Sequence, residues 1–237
     1  MKKLFYSFIL FFCLSCSQGE LFLAEKLWKT LPVQHEGRIK PFDTFSREVL
    51  RKIYGKDHYN KRSAVEVILL WLLIPDMWES ERLIFVEKDI KKSLGLDLKV
   101  KRFSVSDLSG HSKLAMQFTE LQSLRQQPAD LDSYFQKLEQ LETRLILFSA
   151  VRSGYLIKLE PQKNQSAWLS LPELTPSVEK QIKRIIKSYI ALISRSLSPD
   201  FKNTAKQGLL DSHNLPSQKE SFSIFKERIT QFKSLFI

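Results

Sequence analysis

Cysteine is almost absent from this 237-residue chain. There are two, Cys13 and Cys16, and none follows. A disulfide framework is therefore excluded beyond residue 16, and the rest must stand on a hydrophobic core. The spacing Cys13-Leu14-Ser15-Cys16 is not a haem-attachment motif, because Ser17 stands where such a motif needs histidine. It is not read as a redox pair either, since that chemistry needs a folded helix N-terminus around it. Glycine is scarce, with seven residues. No phosphate-cradling glycine loop, Gly-x-Ser-x-Gly elbow or His-Glu-x-x-His zinc helix occurs. The four histidines, His35, His58, His111 and His213, include no pair at helical ligand spacing. They read as exposed loop histidines, with a meeting of His35 and His58 in space as the alternative. No metal site is expected. Carboxylates are scattered among basic residues, so no acid–base pair stands out and the chain does not read as an enzyme.

The N-terminus reads as a targeting segment. Lys2 and Lys3 precede a short apolar run, Leu4 to Phe12. A membrane span needs about 20 apolar residues, so this run is too short to cross. Ser15-Cys16 is similar to a lipobox, which makes Cys16 the expected site of lipid attachment and residues 1–16 a lipoprotein-type signal peptide. An ordinary secretory signal or an uncleaved anchor is the other reading. The formal net charge is +11, and +9 remains after residue 15. For an exported, lipid-anchored chain an anionic membrane surface is the expected counterpart, and nucleic acid is not.

The remainder reads as mainly α: an irregular helical domain with one minor short β-hairpin or two-stranded element. Ser63 is placed to cap a helix over 63–74 that is apolar nearly all round and ends at Pro75, the pattern of a buried central helix. Residues 83–87 read as a strand that 98–105 can pair with, 88–95 as a short helix stopped by Gly95, and Ser106 to Gly110 as a turn. Leu114, Phe118 and Leu121 mark a further helix. Leu131, Tyr134, Leu138, Leu141, Leu145 and Phe148 form a continuous helical stripe that Gly154 ends. Residues 155–159 read as a short strand. Thr175-Pro176 and Ser198-Pro199 each signal a helix start, with stripes through Val178, Ile182, Ile185, Tyr189 and Ile193, then Phe201, Ala205 and Leu209. A last helix carries Phe222, Phe225, Ile229, Phe232 and Phe236. The expected organisation is an N-terminal half over 20–110 and a C-terminal helical-bundle half over 111–237, or one continuous domain over 20–237.

The most distinctive stretch is 31–56. Pro32 and Pro41 favour extended geometry in the residues before them, and Gly37 between them permits a turn. Asp43 or Thr44 is placed to cap a helix whose apolar face is Phe42, Phe45, Val49 and Ile53, with Gly55 as its stop. Asp43 and Arg47 stand one turn apart, the spacing of an ion pair. Trp78 and Trp168 lie in polar sequence surroundings, either at a core edge or as interface anchors.

Leu31 to Gln34, Gly37, Arg38, Pro41, Asp43, Thr44, Arg47 and Glu48 together resemble a segment of the CcsA/ResC-type cytochrome c assembly proteins. In those proteins it lies on the extracytoplasmic side, ahead of membrane helices that handle haem. The chain differs at Phe42 and Ser46, where the family has Leu and Ala, and the likeness continues through Trp78, Pro161, Trp168 and Glu227. The family's Trp-rich haem-handling signature and its membrane helices are not found in this sequence. The resemblance implies an accessory or scaffold subunit of c-type cytochrome biogenesis on the periplasmic side of a membrane. The chain would bind no cofactor alone and meet haem through a partner. Its partners would be a membrane assembly protein with haem-handling helices, apocytochrome c, and the membrane surface through the lipid. The partner-facing candidates are Gly37, Arg38, Pro41, Asp43, Thr44, Arg47, Trp78 and Trp168. A basic helical lipoprotein binding a peptide, a lipid or another envelope protein, with no connection to haem, is the competing reading.

Overall fold

The computed structural model describes residues 25–128, 130–159 and 167–174, and singly 176, 180, 182, 184 and 186. The fold is mainly α with short antiparallel strands. Two compact units divide the chain. One consists of residues up to Phe45 together with those from Ile157 onward, and the other is Ser46–Leu156.

In the first unit, β1 (Pro32–His35) and β2 (Arg38–Pro41) form a hairpin. It is joined by β7 (Lys158–Leu159) and β8 (Leu169–Ser170) into an antiparallel sheet of order β2-β1-β7-β8. Val33 faces Lys40 on one side and Leu159 on the other, and both Val33 and Leu159 are buried. A helical turn over 25–29 carries the buried Trp28. A four-stranded sheet is more β-structure than a hairpin or two-stranded element. Two of its strands are only two residues long, too short for alternation to show in the sequence. Ile182 and Ile186 are helical and buried. The remaining positions of the helices read from 175 onward lie outside the described residues.

α1 (Phe42–Tyr54) carries the chain into the second unit. There β3 (His58–Tyr59) and β4 (Arg62–Ser63) form a tight ribbon, and α2 (Ala64–Leu73) follows directly. Ser63 caps α2 by a reciprocal box. Its hydroxyl accepts from the Glu66 N–H, and the Glu66 carboxylate accepts from the Ser63 N–H at 2.8 Å. Seven of the ten residues of α2 are buried, which makes it the centre of this unit. Pro75 ends it and opens α3 (Pro75–Glu79).

β5 (Ile84–Phe85) pairs with β6 (Arg102–Phe103), within the two segments read as partners. α4 (Lys88–Leu94) stops at Gly95, which takes the left-handed conformation at φ 71°. The stretch read as a turn at 106–110 is instead a short helix, α5 (Val105–Ser109). A second capping box, Ser104 with Asp107, starts it. The bonds that Asp107 accepts from the Ser104 N–H and hydroxyl hold its carboxyl below the usual carboxylate range.

α6 (Ser112–Arg125) and α7 (Ser133–Arg152) complete the unit. Asp132 caps α7 with 2.9 Å bonds from the Tyr134 and Phe135 N–H groups. In the predicted stripe Leu138, Leu141 and Phe148 are buried, and Leu131, Tyr134 and Leu145 are half-buried. Arg125 of α6 reaches Glu142 at 2.7 Å and Glu139 at 3.0 Å on α7. Phe148 of α7 meets Trp71 of α2 edge-on at 5.0 Å.

Leu138 and Leu141 are both fully buried. Truncating either to alanine is expected to cost about 2–5 kcal/mol in chemical denaturation. A loss below about 0.5 kcal/mol at both sites would mean that this face does not form the core.

Candidate functional site: the hairpin and its helix

The arm over 31–54 is built by one reversal. Glu36 and Gly37 both take positive φ, 52° and 73°. Two consecutive left-handed residues are what a two-residue hairpin loop of matching twist requires. Nothing lies within 4 Å of a Cβ built on Gly37, so glycine is needed there for its backbone and not for space. The turn fixes the register His35↔Arg38, Gln34↔Ile39 and Val33↔Lys40.

Alternation then sorts the side chains. Val33 and His35 point inward and are buried. Their cross-strand partners, Lys40 and Arg38, stand on the same side of the hairpin. The His35 ring meets Phe45 edge-on at 5.2 Å, Phe45 stacks with Phe42 at 5.8 Å, and Trp28 lies 6.1 Å from Phe42. His35 Nδ1 is 3.4 Å from Lys40 Nζ and 3.7 Å from a Glu36 carboxylate oxygen, and Lys40 is 3.9 Å from the same carboxylate. The ammonium only donates, so the Lys40 contact uses Nδ1 as an acceptor. His35 is thus a buried strand residue and not an exposed loop histidine. His58 is the exposed one, its Nδ1 3.1 Å from Asp57, and His111 is half-buried with Nε2 3.0 Å from the Leu94 carbonyl.

β2 runs into α1 without a loop. The Phe42 N–H returns to the Leu31 carbonyl at 2.8 Å and closes the base of the hairpin. Because α1 begins at Phe42, Asp43 and Thr44 fall inside its first turn and neither is the cap. Pro41 occupies the preceding position, where its missing N–H costs nothing. Asp43, half-buried, still places negative charge at the positive end of the helix dipole. Phe42, Phe45, Val49 and Ile53 are all buried along one face, as their spacing predicts, and Gly55 follows at φ 86°.

The candidate residues separate into two groups. Gly37, Arg38, Pro41, Thr44 and Arg47 are exposed and Asp43 is half-exposed. Trp78 is not at the surface. It is fully buried, 5.9 Å from Trp71 and 5.5 Å from Tyr59, both edge-on. Its polar sequence neighbours sit on a short helix that turns the indole inward, so Trp78 is a core residue. Tyr59 donates to Glu81 at 2.6 Å, and burial together with that carboxylate pushes its hydroxyl pKa well up. Trp168 is half-buried beside β8. Cys16 lies outside the described residues. Among the exposed residues that the sequence reading does not single out is Ile39, at 63% exposure on β2. Its signal is alternation, since it faces Gln34 on the side opposite Val33 and His35.

Ser46 is fully buried, and its hydroxyl has no hydrogen-bond partner among the described residues. It occupies the position where the resembling family has Ala.

No family model matches the chain. Over 185 residues it is 29% identical to Protein NrfI of Wolinella succinogenes, a match that covers 76% of this chain and 19% of that protein. The chain spans about a fifth of the length of the curated relative it matches. Among the described residues, no helix is long and apolar enough to cross a membrane.

Ser46→Ala removes an unpartnered buried hydroxyl from a helix interior and improves helix propensity. Thermal and chemical denaturation are expected to show unchanged stability or a gain of up to about 1 kcal/mol. A loss of that size would show that the hydroxyl is bonded after all.

Proposed function

We propose that this chain is an accessory or scaffold subunit of c-type cytochrome biogenesis. It works outside the cytoplasm, on the periplasmic side of a membrane, with Cys16 as its lipid attachment. In this reading it binds no haem itself and acts beside a membrane assembly protein that handles haem and delivers it to apocytochrome c. Support comes from the 31–48 motif, which resembles that of the CcsA/ResC-type assembly proteins, and from the likeness to Protein NrfI, which runs over most of the chain.

The observation that carries the proposal is how the motif divides. Its apolar members Val33, Phe42 and Phe45 are buried, which accounts for them as structure. Arg38, Pro41, Thr44 and Arg47 are exposed. Their exposure leaves these side chains accessible to a protein partner. Arg38 is the strongest candidate, because a guanidinium offers paired donors to a carboxylate on a partner or to a haem propionate.

The test is Arg38→Ala. The melting temperature is expected to stay within about 2 °C of wild type, as for a surface change within ±0.5 kcal/mol. Co-purification with the membrane assembly protein and covalent haem on its cytochromes are both expected to fall. If Arg38→Ala melts the domain while partner binding per folded molecule stays normal, the motif is a structural clasp and the proposed contact is wrong.

A further inference from the structure

The charge of Ser46–Leu156 is unevenly placed. Segments 47–62 and 97–102 carry nine basic and three acidic side chains, while the rest of that stretch carries nine basic and twelve acidic ones. The fold brings these two segments together. Arg102 donates from Nε and Nη2 to the Tyr54 carbonyl at 3.2 and 2.9 Å, and its guanidinium lies 4.2 Å over the Tyr54 ring. The same Nη2 would stand 3.8 Å from a Cβ on Gly55. The end of α1 and the loop before β6 therefore form one basic pole, with Lys56, Lys99 and Lys101 exposed. Arg51 and Lys52 have a local reason to be there, since cations complement the negative end of α1. The three lysines lie beyond the helix and lack that reason. The nearby acids are already engaged. Asp57 is shared by Arg51 at 3.2 Å and His58 at 3.1 Å, and Asp97 accepts from the Lys99 N–H at 2.8 Å.

At the tip of the 97–102 loop stands Leu98, 46% exposed, between Asp97 and Lys99 in the sequence. The loop is held from beneath. The buried Lys91 donates through Nζ to the Leu98 carbonyl at 3.1 Å and to the Val100 carbonyl at 3.0 Å. A fixed backbone thus presents an apolar side chain in a loop that also carries the exposed Lys99 and Lys101.

We propose that this pole docks on a membrane surface rich in anionic phospholipid, with Leu98 entering the headgroup layer and Lys56, Lys99 and Lys101 meeting phosphates. An acidic polypeptide would use the lysines equally well but gives no reason for the exposed leucine. Interfacial binding adds buried apolar area to attraction for anionic lipid, and both are present here. None of Leu98, Lys56, Lys99 and Lys101 is among the partner-facing candidates of the hairpin and its helix, and the inference does not depend on the role in cytochrome biogenesis.

The test is sedimentation of the full chain with vesicles of phosphatidylcholine alone or with 30% phosphatidylglycerol, at roughly 50 and 500 mM salt. Wild type is expected to partition about tenfold more strongly onto the anionic vesicles at low salt, with the gain lost at high salt. The triple variant Lys56→Glu, Lys99→Glu, Lys101→Glu is expected to lose the gain, and Leu98→Ser to weaken binding while keeping its salt dependence. A charge-matched variant outside the pole, Arg82→Glu, Lys88→Glu, Lys113→Glu, is expected to retain most of it. Circular dichroism checks that each variant folds. Equal losses in the two triple variants would reduce the effect to net charge and overturn the proposal. So would binding to polyglutamate without any preference for anionic vesicles, which would point to an acidic polypeptide.

Discussion

The left-handed reversal at Glu36–Gly37 is the constraint on which the arm depends. A two-residue turn leaves no freedom in register, and register decides which side chains face inward. With His35 opposite Arg38, Val33 and His35 are buried and Ile39 stands exposed on the other side. A slip of one residue would send Gln34 inward and Val33 outward. The hairpin then closes through the Phe42 N–H on the Leu31 carbonyl, which starts α1 without an intervening loop. Phe42 and Phe45 meet the inward side of β1 because α1 begins at that residue and not two later. One pair of φ angles therefore determines both the buried side of the motif and the exposed one.

Much of this was legible in the sequence where a local signal was strong. Ser63 with Glu66, Gly55, Gly95 and the stripe through Leu138, Leu141 and Phe148 act within a few residues of themselves, and each marks what its chemistry predicts. The four-stranded sheet was not legible. β7 falls within the 155–159 segment read as a strand, but its partner β1 lies more than 100 residues away, and β8, which pairs with β7, is two residues long with no period to mark it. The start of α1 was misplaced by the attraction of Asp43 and Thr44 as caps, when the strand in fact passes straight through Pro41 into the helix.

Which candidate residues reach the surface was only partly legible in the sequence. Arg38, Pro41, Thr44 and Arg47 stand at the surface. Trp78 does not, because the polarity of sequence neighbours says little about where a short helix turns an indole. His35 was read as exposed, yet alternation from the buried Val33 already places it inward. Ser46 sits in the core with its hydroxyl unused among the described residues; it lies one turn from both Phe42 and Leu50, so the helical period places it on the buried face and only its polarity hides it.

The apolar half of the motif is consumed by folding and much of its polar half is left on the surface. The role proposed for this chain, in c-type cytochrome biogenesis, rests on the form of the motif and the likeness to Protein NrfI. The most direct measurement is covalent haem on c-type cytochromes in cells lacking the gene, read by haem staining alongside immunodetection of the apocytochrome. The account predicts that covalent haem is lost while apoprotein is still made and exported, and that the wild-type gene restores it. Normal haem attachment in the deleted cells would contradict it.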